Sequence, residues 1–189
     1  MQSILREKLM AQMEKLARVS DVYRTQSHLF VEAYFSWLQE AEKDLSTLRS
    51  PISILLQAEK SSLVSVIDGS LPDHIQGGRS TRRSQRAAAA QSLERISKEV
   101  YSKIEDIDRN LSQANEQLCN AVAVLVTKEP DITNGLQPDQ AGLNAIWKGL
   151  SRTPETRPMY HYLSAKLAPS DRDYLLIDII QKLITNKVQ

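Results

Sequence analysis

Two pairs of residues in this chain have types and spacing suited to chemistry. Arg24 and His28 stand four positions apart, and so do Arg157 and His161. On a helix that spacing puts both side chains on one face. An arginine beside a histidine can polarise a phosphodiester and move a proton to or from it. The competing reading is that each is an exposed helical pair without a task, because the spacing is common and such a motif needs structural context. Metal chemistry has less behind it. His28, His74 and His161 are scattered, with no His-x3-His and no Cys-x2-Cys spacing. The carboxylates at Glu105, Asp106 and Asp108, and at Asp171 and Asp173, lack the Glu-x-x-His partner of a di-metal bundle, and they read as a solvated helix face and a helix N-terminus. There is no Gly-x-Ser-x-Gly and no glycine-rich phosphate loop. The single cysteine, Cys119, lies beside an apolar seam and reads as a structural thiol. No catalytic residue, cofactor or metal ligand is assigned, and an enzyme is not the expectation.

The clearest local charge feature is basic. Arg79, Arg82, Arg83 and Arg86 fall within eight residues, and no acid occurs from His74 to Leu93. At a helix N-terminus, where backbone amides add positive potential, such a group could hold phosphates or an acidic partner. Against a nucleic-acid role stand the absence of interleaved aromatics and a formal net charge of only +1. Ala87–Ala90 follows at once, strongly helix-forming and slender enough for a close neighbour.

Two resemblances accompany these residues. The Arg/His pairs resemble those of helical HEPN-type RNases, which place four to six residues between the two. Here three intervene, so both pairs depart from that pattern. The stretch from Tyr23-Arg-Thr-Gln to Glu42 resembles the opening of a small helical family of gammaproteobacterial proteins. That family begins with a Tyr/Arg-Thr-Asn-Gln pattern followed by an aromatic-rich amphipathic helix; Ser27 and His28 depart from it. The resemblance covers about 20 residues and implies a bacterial helical bundle, with no activity attached.

The elements that must position these residues are helical. With two Trp, two Phe and six Tyr in 189 residues, Leu, Ile, Ala and Val supply most of the packing, which suits helices better than a β-sandwich. Apolar positions Ile4, Leu5, Leu9, Met13 and Leu16 predict a first amphipathic helix over about 3–18. A second reads to about Leu48 and carries Tyr34, Trp37 and Leu38; Ser20-Asp21 either caps it or lies within one continuing helix. Ser50-Pro51 opens a third, to about Asp68. Gly69, Pro72, Gly77 and Gly78 make 69–80 a loop.

From Ser80 to Thr127 there is neither Pro nor Gly. Leu93, Ile96, Val100, Ile104, Ile107, Leu111, Ala114, Leu118, Val122 and Leu125 repeat at nearly 3.5 residues, a coiled-coil-like seam on one helix of roughly 70 Å. Asn110 is its expected weak point. Residues 128–138 read as a linker, and 139–189 as three short helices, the last opened by a capping box at Ser170–Asp173. The expectation is an all-α helical bundle built on one long amphipathic helix (about 80–127), with domain 1–127 and a small C-terminal segment. The seam predicts more apolar surface than the first three helices cover, so a protein partner or a homo-oligomer is expected, with nucleic acid at the basic segment as the alternative. No membrane span is predicted. One cysteine and no apolar leader point to the cytoplasm.

Overall fold

The computed structural model describes residues 1–68 and 81–187. It is all-α among these residues. Seven helices run in order: α1 (Gln2–Arg24), α2 (Phe30–Ser46), α3 (Pro51–Ile67), α4 (Thr81–Lys128), α5 (Gln140–Arg152), α6 (Arg157–Lys166) and α7 (Pro169–Lys187). A short 3-10 turn, Pro130–Thr133, precedes α5. No described helix is long and apolar enough to cross a membrane.

The chain divides into two units, Leu5–Glu105 and Asp106–Gln189, the latter joined by Met1–Ile4. The division falls inside α4, not at 127/128 as the proline-bounded segment predicts. Residues 128–138 are correspondingly no linker: Thr133 and Leu136 are buried and Ile132 packs on the core of the second unit. The physical reason is that α4 carries one seam through both cores, and it runs unbroken past Asn110.

In the first unit four helical segments alternate in direction. Lys8 and Gln12 of α1 bond to Asp44 of α2, and Lys15 to Glu40. Lys60 of α3 pairs with Glu42 of α2. Ser92 and Arg95 of α4 reach Glu59 of α3, and Gln85 reaches the Ile67 carbonyl. These pairings define an up-down-up-down bundle. Leu9, Leu16, Phe30, Tyr34, Leu38, Leu45, Leu56 and Ile96 are fully buried within it. In the second unit Leu118, Val122 and Leu125 of α4 close a core with Leu143, Ile146 and Leu150 of α5, Leu163 of α6, and Leu175, Leu176, Ile179 and Ile180 of α7.

The α4 seam is covered inside the chain. Ile96, Val100, Ile104, Ile107, Leu111, Ala114, Leu118, Val122 and Leu125 are all buried, so the surplus expected to need a partner helix is not there. Leu93 is only half-buried, and Ser92 takes the interior position instead.

α1 runs past its predicted end near residue 18, with Ser20-Asp21 inside it instead of capping a second helix, and stops at Arg24. Gln26 adopts φ +55, its amide donates to the Tyr23 carbonyl, and the Ser27 amide donates to the Val22 carbonyl. This is a Schellman closure with glutamine where glycine is usual. Without a glycine to mark it, the stop between α1 and α2 carries no sequence signal.

Candidate interaction groove

The turn at 25–29 breaks the first Arg/His pair. Arg24 is the last residue of α1 and pairs with Asp21 at 2.7 Å. His28 lies in the turn before α2, so the two do not share a helical face. Arg157 and His161 do lie together on α6, but the Arg157 guanidinium donates to the carbonyls of Ser151 and Arg152 at 3.2 and 3.1 Å. It thereby caps the C-terminal end of α5, where a cation meets the negative end of the helix dipole. His161 packs edge-on to Tyr160.

The basic segment is divided in the same manner. Arg79 lies outside the described residues. Arg86 turns inward: its guanidinium donates to the Ser27 carbonyl at 2.8 Å and the Tyr23 carbonyl at 2.7 Å. It sits 4.9 Å from the Tyr23 ring and 5.4 Å from the Phe30 ring. Arg86 is therefore the C-cap of α1, held by stacking as well as hydrogen bonds. Arg82 and Arg83 remain exposed.

One turn apart on α4, Arg82 and Arg86 border a half-open groove of about 560 Å³. Leu29, Val31 and Phe35 from the start of α2, with Ile67 from the end of α3, give it apolar walls. Gln85 joins the arginines on the α4 side, and His28 and Glu32 stand on the α2 side. Leu29 is 49% exposed and Ile67 40%, so apolar surface faces outward here. The site exists because three helix ends meet. The Schellman turn throws Leu29 outward at the N-cap of α2, where it makes no capping hydrogen bond. The apolar stripe of α3 continues to its last residue, and Arg86 pins α4 to the α1–α2 turn. Sequence reading picked out Arg82 and Arg86 but not the groove. The signal available was Ile67, an apolar residue at the very edge of a helix.

Behind the groove lies a chain of buried polar groups. The hydroxyls of Tyr34 and Ser92 are 2.7 Å apart, and Ser92 donates to Glu59 at 2.7 Å. Arg95 donates to the other Glu59 oxygen at 2.6 Å. Glu59 is 6% exposed. Burial, helped by the Glu59 charge and opposed by the Ser92 hydrogen bond, pushes the Tyr34 phenol well above its ordinary range. Tyr34, Ser92 and Glu59 satisfy one another in the interior and the exposed Arg95 closes the chain at the surface, so the arrangement holds α2, α3 and α4 in register.

Among the described residues no group of three His, Cys, Asp or Glu side chains gathers to hold a metal ion. No protein-family model, curated protein or solved structure matches the chain.

Proposed function

We propose that this chain is a non-enzymatic, cytoplasmic interaction protein that binds a segment of another protein in the groove between α2, α3 and the start of α4. The observation that carries this reading is the outward-facing apolar surface of Leu29 and Ile67 beside half-buried Val31 and Phe35. Apolar surface gathered in a concavity and rimmed by polar groups is what a binding site offers and what a bare monomer avoids. The buried α4 seam directs the reading to this groove and away from self-association along the long helix. The nucleic-acid alternative has less support, because Arg86 already serves α1 and the groove carries Glu32 on its opposite side.

The test is purification of the tagged chain from its native source. The double variant Leu29→Ser, Ile67→Ser is expected to lose its co-purifying protein. The variant Ile54→Ser, at a residue 69% exposed and outside the groove lining, is expected to keep it. Equal recovery with both variants would refute the reading.

A further inference from the structure

We propose that the groove selects an acidic amphipathic segment, one that sets aliphatic side chains against Leu29, Phe35 and Ile67 and a carboxylate against Arg82. This inference rests on the reading of the groove as a protein-docking site and adds the chemistry of the partner.

The argument is one of charge. Arg82 and Arg86 form the α4 side, and the first turn of α4 contains no acid. Arg86 is held by two neutral carbonyls and two aromatic rings. Its position is fixed, but among the described residues no carboxylate pairs with it. Among the described residues, no carboxylate pairs with Arg82 either. The amide ends of α4 add potential of the same sign. A carboxylate brought here gains a charge-assisted hydrogen bond from a guanidinium that bonds in a planar fork. A basic segment would instead meet like charge, which suppresses wrong partners.

The apolar side sets the second requirement. A space of about 560 Å³ holds a few aliphatic side chains, the anchors an amphipathic helix presents at i, i+3, i+4 and i+7. Glu32 on the α2 side supplies the third requirement. A base on the partner's far flank would face it, so the segment has a preferred direction: acid toward α4, base toward α2.

The experiment is fluorescence anisotropy with the full chain and two labelled peptides of about 16 residues, long enough for four helical turns. One carries leucines at helical spacing flanked by glutamates; the other has every glutamate replaced by lysine. The acidic peptide is expected to bind about tenfold more tightly or better. Arg82→Glu is expected to reverse the preference, and Leu29→Ser with Ile67→Ser to weaken both peptides together. If that double variant weakens both but Arg82→Glu changes neither, the acidic preference is refuted and the docking reading stands. If the double variant changes nothing, both fall. If single-stranded RNA displaces the peptide and its own binding depends on Arg82 but not on Leu29 and Ile67, the site belongs to nucleic acid and the proposal is overturned.

Discussion

The two units bury their polar groups in different places. In Leu5–Glu105 most lie in mid-helix: Gln12 in α1, Glu59 in α3 and Ser92 in α4 are buried, and only Ser50, the N-cap of α3, sits at a helix end among the described residues. In Asp106–Gln189 they lie at helix ends. Thr153 is the C-cap of α5, and Thr156 precedes α6. Asp171, in the first turn of α7, accepts from the Gln2 and Ser3 amides at 2.8 and 2.9 Å, from the Ser3 hydroxyl at 2.7 Å, and from the Met1 amine. The second core is left to Leu, Ile, Val and Ala. Polar groups in mid-helix fix which faces meet, since each needs its partner; polar groups at ends fix where helices start and stop. The unit that carries the groove is the one whose helix register is set by buried hydrogen bonds.

The comparison can be broken or sharpened by substitution. Each unit contains one tryptophan, Trp37 or Trp147, so single-Trp variants follow the two units separately in denaturant unfolding. The largest effect is expected in the apolar core. Ile146→Ala removes a side chain with no exposed surface and should cost about 3–4 kcal/mol, read from Trp147. Glu59→Ala should cost about 2–3 kcal/mol, read from Trp37, because it leaves Ser92 and Arg95 without their acceptor. A loss below about 0.5 kcal/mol there would mean that the polar chain does not hold the bundle.

Asp171→Asn should cost about 1–2 kcal/mol at neutral pH, since α1 loses its charged N-terminal acceptor. Burial pushes the Asp171 carboxyl up, but hydrogen bonds from the Met1 amine, the Ser3 hydroxyl and the Gln2 and Ser3 amides outweigh it and hold the group below its ordinary value. A depressed carboxyl stabilises the fold above its unfolded value and loses that stabilisation as pH falls through the folded one. Stability read from Trp147 should therefore decline below about pH 4 in the parent chain and decline less in the variant. The smallest effect should be a gain. Gln26→Gly is expected to add about 0.5–1 kcal/mol by relieving the left-handed backbone at the α1 C-terminus, measured from the Trp37 transition.

Much of the fold was legible in the sequence, because long helices announce themselves by period. Pro51 after Ser50 marked α3, and the Ser50 hydroxyl does accept from the Ile52 amide. The absence of Pro and Gly marked α4. The stop at Thr25 was not legible, since Gln26 occupies a glycine's conformation and leaves no mark. Ser170–Asp173 read as a capping box, yet Ser170 lies inside the first turn of α7 and Asp171 serves α1, a pairing across 168 residues that no local pattern encodes. The site was half legible. Arg82 and Arg86 stood out as charges, but that Arg86 caps α1 depends on where α1 ends. Leu29 and Ile67 carry no charge to single them out, and it is the helix ends that place them at the surface.

The most direct measurement places a photoreactive side chain at Leu29, and separately at Ile54, in the full chain in its native cells. A crosslink from position 29 to one other protein, with none from position 54, is the expected result. Crosslinks from position 54 with none from position 29 would contradict the assignment of the groove as the docking site.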